Sequence, residues 1–258
     1  MQRAIFKNKA ENEIYDRQGY IHIPDFLNEA ERLALLKLYK KKESSFFDKG
    51  FHRTLDFKNN KKKSIIFSGI DEIVTPESEK YLNEYRILLT SFMTKEKRAP
   101  AFDIHQNWTF VDESKFTSLV IWIPLQDVDE KNGCLYFIPG SDKWNKGIRG
   151  NNIEWQYNNR KEELMQQMVP LPMKAGDAAI FDDATIHYTS ANYSDKPRIS
   201  IAQVMIPKEA KPIFYNKNIE KNSIEKYQIS DNFYLTFTEK FLKGDYSEMH
   251  LADANVHF

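Results

Sequence analysis

Short apolar segments separated by turn residues occupy the middle of the chain, from residue 101 to residue 206. The segments are rich in β-branched and aromatic residues, and Gly, Pro, Asp and Asn lie between them, which is typical of the strands of a β-sandwich or barrel. The clearest segments are 117–125, 133–140, 178–181 and 199–206. The pattern therefore predicts a mainly β core.

The residues that precede this core favour helices. Asn28 is a candidate N-cap, because the acidic Glu29 and Glu31 follow it in what would be the first helical turn. The apolar face of this helix would be formed by Leu33, Leu35, Leu36 and Leu38. A second helix is predicted from Pro76 to Leu89, with acidic residues early in it.

The order of these regions predicts one domain over residues 1–258, with a β core at about 88–206 and flanking helices. Residues 143–170 interrupt the strands and are expected to form a loop with some helix. The polar residues 208–258 are expected to form a C-terminal cap, partly helical around 233–243.

Charge and composition argue against several classes of function. Lys plus Arg and Asp plus Glu are equal at 37 each, so the net charge of 0 does not favour nucleic acid or an anionic membrane surface. We interpret the basic run Lys61–Lys63 as a solvated loop. The single cysteine, Cys134, excludes an intrachain disulfide. Because no apolar stretch has the length of a membrane span and residues 1–7 do not resemble a signal peptide, we expect a cytoplasmic protein.

Two of the six histidines differ from the rest in their surroundings. His105 ends a predicted strand before a polar loop, and His187 follows a Gly-Asp turn and a strand. A histidine at a strand end most often has a structural role, so position alone does not identify a ligand. The other four are interpreted as structural or surface residues, namely His22 in a strand, His52 in a Lys-rich loop, and His250 and His257 in the tail.

A metal site is nevertheless chemically reasonable here. Residues 105 and 107 alternate along a strand and can point at one ion, while His187 would arrive from a distant strand. Three protein ligands on one face of a metal leave further positions open. Arg198 is expected to begin a strand that runs antiparallel beside that of His187, where its planar guanidinium suits a carboxylate.

Three segments, in this order and spacing, resemble the phytanoyl-CoA dioxygenase family of Fe(II)/2-oxoglutarate oxygenases. They are HQNWTFVDE (105–113), VIWIPLQDVDEKNGCLYFIPGS (120–141) and AGDAAIFDDATIHYTSANYSDKPR (175–198). The segments GYIHIPDFLNEAE (19–31) and KYQISDNFYLTF (226–237) are similar too, so the resemblance spans nearly the whole chain. It implies a double-stranded β-helix, the cupin-like jelly roll, with flanking helices.

The resemblance also implies roles for individual residues. His105 and His187 match the two metal-binding histidines, and position 107 matches the third ligand. Arg198 matches the arginine that binds the C5 carboxylate of 2-oxoglutarate, and Thr189 the hydroxyl that assists it. Further matches to the co-substrate pocket are Gln106, Trp122 and Lys95. The alternatives are core packing for Trp122 and a surface salt bridge for Arg198.

The activity implied by the resemblance is oxidation, by default hydroxylation, of a C–H bond in a small molecule. The cofactors would be Fe(II), 2-oxoglutarate and O₂, and the products would include succinate and CO₂. Desaturation or ring formation would need the same residues. Aromatic residues of the flanking loops could line a substrate pocket or pack in the core: Phe46, Phe47, Trp144, Trp155 and Tyr157.

Two positions depart from the family pattern. Residue 107 is Asn where the family motif has Asp, and residue 142 is Asp where the family usually has His. An asparagine oxygen can ligate a metal, but it is neutral, so the metal alone should bind more weakly.

Four accounts of Asn107 are open. Asn107 is a working ligand, or a nearby carboxylate replaces it, or the site accepts another anion as in halogenating relatives, or the protein is a degenerate binding module or was altered to trap a complex. The candidate carboxylates are Asp103, Asp112, Asp182 and Asp183. A cupin-like enzyme with another metal is a further alternative.

Overall fold

The structure is a computed structural model that describes residues 4–40, 50–236 and 250–251. The strands are β1 (Tyr20–Ile23), β2 (Phe51–Arg53), β3 (Tyr85–Lys95), β4 (Phe102–His105), β5 (Leu119–Pro124), β6 (Leu135–Phe137), β7 (Val169–Leu171), β8 (Ala178–Asp182), β9 (His187–Thr189), β10 (Arg198–Pro207), β11 (Ile213–Asn218), β12 (Ser223–Gln228) and β13 (His250–Leu251). The helices are α1 (Lys9–Gln18), α2 (Glu29–Lys40), α3 (Asn60–Tyr81), α4 (Lys161–Met165) and α5 (Phe233–Thr236).

Two antiparallel sheets pack against each other. The main sheet has six strands in the order β1-β8-β5-β10-β3-β2, and the minor sheet has four in the order β4-β9-β6-β7. The predicted strands at 117–125, 133–140, 178–181 and 199–206 are confirmed as β5, β6, β8 and β10. The fold is a jelly roll that is mainly β with flanking helices, which confirms the predicted fold class.

The main sheet is buried on both faces, and β5 illustrates why its sequence is apolar throughout. Leu119 and Ile121 point to one side, into a core shared with α2 and α3. Val120 and Trp122 point to the other side, into a core shared with Phe137 of the minor sheet. Side chains alternate along a strand, so a strand covered on both faces needs apolar residues at every position.

Helix α2 begins as predicted. The Asn28 side chain accepts a hydrogen bond from the Glu31 backbone N–H at 3.1 Å, and the Asn28 backbone N–H donates to the Glu31 carboxylate at 2.8 Å. This reciprocal pair is a capping box. Of the four leucines, Leu35 is buried, whereas Leu33 is exposed and does not belong to the buried face.

The predicted helix from Pro76 to Leu89 is wrong. Helix α3 begins at Asn60 and ends at Tyr81, with Pro76 inside it, and residues 87–89 belong to β3. Ile66, Ile70 and Val74 recur every four residues and bury one face of α3. Because this face packs in the core, the helix begins sixteen residues before Pro76.

Several local interpretations also change. Lys61–Lys63 is the first turn of α3 rather than a loop, and Lys63 is buried, which lowers its pKa. His52 lies on β2 rather than in a loop. Residues 143–170 are mostly loop with short helical turns, as predicted. The C-terminal region contains strands β11–β13 in addition to the expected helix, of which residues 233–236 are described and 237–243 lie outside the described residues.

None of the helices in the described part of the chain is both long enough and apolar enough to cross a membrane.

Candidate metal and co-substrate site

The two candidate histidines lie side by side at one end of the minor sheet. Strands β4 and β9 are antiparallel, and His105 is the direct partner of His187 in their register. The centroids of the two imidazole rings are 4.2 Å apart. Residues distant in the chain thus meet as the sequence predicted.

Each imidazole is held in one orientation by a backbone carbonyl. The Nδ1 atom of His105 lies 2.7 Å from the Asp103 carbonyl oxygen, and that of His187 lies 2.8 Å from the Thr185 carbonyl oxygen. A carbonyl oxygen can only accept, so Nδ1 carries the proton in both rings. The lone pair of each ring is then on Nε2, which is how a histidine is prepared to bind a metal.

Desolvation favours the neutral form of both rings. Desolvation lowers the pKa of His105, and it lowers the pKa of His187 well below its ordinary value, with the neighbouring His105 adding to the effect. The rings of Phe137 and Phe181 pack around His187, with centroids 6.2 and 4.9 Å away. Neutral imidazole is the form that binds metals.

Asn107 lies in the loop after β4, because that strand ends at His105. Its backbone N–H donates to the Asp183 carbonyl at 2.9 Å, and its side-chain N–H donates to Asp183 Oδ1 at 2.9 Å. Its own carbonyl accepts from Arg149 Nε at 2.6 Å. The remaining side-chain atom is the amide oxygen, and the amide is close enough to His105 to raise the pKa of that ring.

Asp183 is the carboxylate that contacts Asn107. It is fully buried, and burial raises its pKa to about 7, against the opposing effects of Ser118 and Asn107. Its Oδ2 atom has no hydrogen-bond partner in normal geometry among the described residues, although the Ser118 hydroxyl is near enough to affect its pKa.

The other three carboxylates have different neighbours. Asp103 pairs with Lys161, Asp112 with Lys115, and Asp182 with Lys146. In the described parts of the chain, no Cys, Asp or Glu joins the two imidazoles to make a group of three. Asn107 is therefore the side chain best placed to be the third donor.

Two buried cations face this region from the main sheet. Lys95 on β3 is the register partner of Arg198 on β10, and the side chains are 0% and 1% exposed. Lys95 Nζ donates to the Thr189 hydroxyl at 2.8 Å, the Thr189 carbonyl at 3.1 Å and the Ser190 carbonyl at 2.5 Å. These bonds link the cations to β9, two residues after His187.

No carboxylate of the described residues neutralises either cation. Arg198 donates to the Ser200 hydroxyl, its Nε has no partner, and its guanidinium carbon lies 5.2 Å from the centroid of the Trp122 ring. Burial, followed by the charge of Arg198, lowers the pKa of Lys95 to about 7. Burial also lowers the pKa of Arg198, to about 10.

One expectation about Arg198 is wrong. Its strand β10 does not run beside β9 but lies between β5 and β3 in the main sheet. Arg198 reaches the site from across the space between the sheets, because the jelly roll places successive strands in opposite sheets. The alternative role as a surface salt bridge is also wrong, since the side chain is buried without an acidic partner among the described residues.

Gln106 is adjacent to the histidines but both ends of its amide are occupied. Its oxygen accepts from Trp155 Nε1 at 2.9 Å, and its nitrogen donates to the Ala184 carbonyl at 2.6 Å. Trp155 packs with Trp144 and Tyr157 in a small apolar cluster behind the site. The hydrogen bond from Trp155 to Gln106 thereby connects the insertion 143–170 to the loop that follows β4. Phe46 and Phe47 lie outside the described residues.

Comparison with known families agrees with this geometry. The family model described as phytanoyl-CoA dioxygenase (PhyH) matches residues 15–200, which include both histidines, Asn107 and both cations. The chain belongs to this family.

Individual relatives are more distant. A phytanoyl-CoA dioxygenase domain-containing protein 1 of Danio rerio is 32% identical over 104 residues, which are 36% of this chain and 35% of that protein. The chain therefore matches about a third of the length of this relative.

Solved structures share the fold. The non-heme alpha ketoglutarate dependent carbocyclase SnoK is 23% identical with a TM-score of 0.58, over 80% of this chain and 86% of SnoK. HygX from Streptomyces hygroscopicus, crystallised with nickel, 2-oxoglutarate and hygromycin B, is 15% identical with a TM-score of 0.57, over 78% of this chain and 88% of HygX.

Three residues near the site were not identified in the sequence analysis. Arg149 lies in the insertion and clamps the Asn107 carbonyl, and Ser200 binds Arg198. Gly133 has a φ of 97°, and a Cβ there would lie 3.2 Å from Lys95 Cδ and 3.5 Å from Arg198 Nε. Only the glycine gives a sequence signal, because Asn-Gly marks a turn whose conformation favours glycine.

The second departure from the family pattern, Asp142, faces Gly19, as does the Thr185 hydroxyl. Asp142 is buried against Gly19, where a Cβ would approach its carboxylate to 2.3 Å. Burial and the nearby Asp182 raise the pKa of Asp142.

Proposed function

We propose that this protein is an Fe(II)- and 2-oxoglutarate-dependent oxygenase that oxidises a C–H bond of a small molecule. The observation that supports this most directly is the pair of buried cations, Lys95 and Arg198, that has no acidic partner among the described residues beside two oriented histidines. A buried charge without a partner is costly, so such a pair calls for an anionic ligand.

The donor atoms fit a non-haem iron. His105 and His187 offer Nε2 atoms, and Asn107 offers an amide oxygen, so the three resemble the two-histidine, one-carboxylate arrangement with an amide in place of the acid. Because neutral rings with Nδ1 hydrogen-bonded to carbonyls are prepared for ligation, no rearrangement of the histidines is required.

The cations fit the far carboxylate of 2-oxoglutarate. The orphaned Nε of Arg198 supplies a donor, and Lys95 is already held by Thr189 and Ser190. The keto acid end would then be directed from the main sheet towards the histidines on the minor sheet. Trp122 covers the Arg198 guanidinium at 5.2 Å and keeps water from it, which strengthens its pairing with a carboxylate.

The chemistry of the proposed reaction divides between cofactor and protein. With iron bound, O₂ is reduced while 2-oxoglutarate loses CO₂ to become succinate; one oxygen atom enters succinate and the other enters the substrate as a hydroxyl group. The chain orients the co-substrate through Arg198, Lys95 and Thr189, and it holds the metal through His105, His187 and Asn107. The apolar walls exclude water from the reacting atoms.

The direct test is anaerobic loading of the full chain with Fe(II) and 2-oxoglutarate. A weak visible metal-to-ligand band should develop, and succinate should be released when oxygen is admitted. The absence of both, with iron in excess, would refute the proposal. Arg198→Met is the matched control, because it should lose the 2-oxoglutarate-dependent band while it keeps the histidines.

A second function, favoured by Asn107, is that of a non-catalytic protein that binds a small molecule at the same site. The two are separated by Asn107→Asp in the succinate assay. A gain of turnover from zero would identify the natural protein as a binding module, whereas turnover in the wild type identifies an enzyme.

Three broader expectations remain proposals. HygX was crystallised with hygromycin B, which supports a small-molecule substrate for the present chain. The net charge of 0 supports the exclusion of nucleic acid. One domain and a cytoplasmic location are proposed on the sequence arguments given above.

A further inference from the structure

The proposed metal site lacks a charge that its relatives supply. Two neutral imidazoles and the neutral amide of Asn107 would give a divalent metal three donors and no negative charge from the protein. A buried dication without an anionic neighbour is poorly stabilised. A carboxylate of the chain close to the metal would supply this charge even though position 107 is not one.

Asp183 is in the right place to supply it. Its Oδ1 accepts the Asn107 side-chain N–H at 2.9 Å, and its carbonyl accepts the Asn107 backbone N–H at 2.9 Å. The Asn107 backbone N–H and its side-chain nitrogen are thus both bound to Asp183, and the Asn107 amide is close enough to His105 to raise the pKa of that ring. The Asp183 side chain is 0% exposed and its Oδ2 has no partner in normal geometry among the described residues.

The neighbouring acids have other partners. Glu113 pairs with Arg149 at 2.5 Å, and Asp182 pairs with Lys146 at 3.3 Å. Asp183 has no Lys or Arg within ion-pairing distance in the described structure; Arg149 influences it only through its longer-range charge. Its carboxylate is accordingly the one available to a metal, and a dication nearby would favour the ionised form.

We propose that Asp183 is a positioning residue for the metal: it orients the Asn107 amide oxygen towards the two histidines and supplies, one contact further out, the negative charge that an aspartate at position 107 would have supplied. This inference rests on the proposed function. The acid then lies in the turn that follows β8 rather than at position 107.

The test is a charge-exchange series measured as metal affinity rather than activity. Co(II) alone is titrated into the metal-free full chain and followed by its visible absorption. The series comprises the wild type, Asp183→Asn, the exchange variant Asn107→Asp/Asp183→Asn, and the control Asp112→Asn. Asp183→Asn is isosteric and can still accept from Asn107, so it removes charge while it preserves the contact.

We expect Asp183→Asn to weaken Co(II) binding about 10–100-fold, the usual cost of losing second-shell support. The exchange variant should bind Co(II) at least as tightly as the wild type, and the affinity of the control should stay within twofold of that of the wild type. Affinity of Asp183→Asn within twofold of the wild type would overturn the inference and leave the proposed function intact. A wild type that does not bind Co(II) would overturn both.

Thermal unfolding of each metal-free variant controls for folding. If Asp183→Asn does not fold, the exchange variant decides, because it restores an acid–amide pair. Wild-type affinity in that variant supports the inference, and loss of Co(II) binding by a folded exchange variant overturns it.

Discussion

The two polar sites between the sheets differ in how far the protein itself satisfies them. At the histidine site, each Nδ1 has a carbonyl and the Asn107 amide has a carboxylate. At the cation site, Lys95 has oxygen acceptors but no anion in the described structure, and Arg198 has an unpaired Nε. One site is organised before any ligand arrives, whereas the other is electrostatically incomplete.

This difference indicates a division of labour. The imidazoles of the histidine site are oriented by backbone carbonyls, so this site suits a metal that must be held in one geometry. The buried charge at the cation site is unfavourable in the free protein, and an anionic co-substrate would offset its desolvation penalty. Binding at the cation site should therefore depend on the charges of Lys95 and Arg198, and binding at the histidine site on the geometry of the donors and on the charge of Asp183.

The largest expected effect tests whether the sites are independent. His187→Ala should weaken Co(II) binding by at least about 100-fold, the upper end of the effect of second-shell losses. The cations are untouched, so metal-free binding of 2-oxoglutarate, measured by calorimetry, should remain within about twofold. Loss of both would mean that the two sites fold as one unit.

Arg198→Met should have opposite effects on binding and stability. Removal of one partner of a buried charge pair costs about 2–5 kcal/mol, so 2-oxoglutarate affinity should fall at least about 30-fold. The free energy of unfolding of the ligand-free protein should rise by roughly 1–4 kcal/mol, because a buried charge is replaced by an apolar chain. Chemical denaturation measures this free energy of unfolding. A destabilised variant would contradict the view that the buried charge of Arg198 destabilises the ligand-free protein.

The affinity for 2-oxoglutarate should depend on pH through Lys95. Its pKa is lowered to about 7 by burial and by Arg198, so it is protonated below that pH and neutral above it in the free protein. An anion binds the protonated form, and affinity should therefore be constant below pH 7 and fall above it, by at most about tenfold per pH unit.

Calorimetry in buffers of different ionisation enthalpy should detect proton uptake on binding at pH 8. Lys95→Met is the control and should give a flatter profile with no uptake. The nearby Cys134 does not interfere, since burial raises its pKa to about 12. If the affinity of the wild type for 2-oxoglutarate varies with pH in the same way as that of Lys95→Met, then Arg198 alone supplies the charge that binds 2-oxoglutarate.

The smallest expected effect concerns Thr189, which connects the two sites. Thr189→Val removes one of the three acceptors of Lys95 Nζ and leaves the two carbonyls. The loss of one hydrogen bond is worth about 1 kcal/mol, so 2-oxoglutarate affinity should fall roughly fivefold while Co(II) affinity is unchanged. A larger drop in Co(II) affinity would show that Thr189 also positions His187.

Local patterns predicted the elements whose packing is local. The strands β5, β6, β8 and β10 follow from β-branched residues between turn residues, and α2 follows from its capping box. The limits of α3 did not, because its extent depends on a buried face packed against other parts of the fold. Strand β12 was missed because its residues, Ser223–Gln228, are largely polar and lack an apolar alternation.

The sequence by itself determined which residue types are present for chemistry: two histidines at strand ends, an asparagine in place of an acid, and an arginine after the second histidine. Only the tertiary structure decided that Arg198 approaches from the opposite sheet, that it shares its burial with Lys95, and that Asn107 is bound to Asp183. The physical reason is that strand periodicity specifies which face a side chain takes, whereas the identity of its partner across the core depends on how distant strands pack.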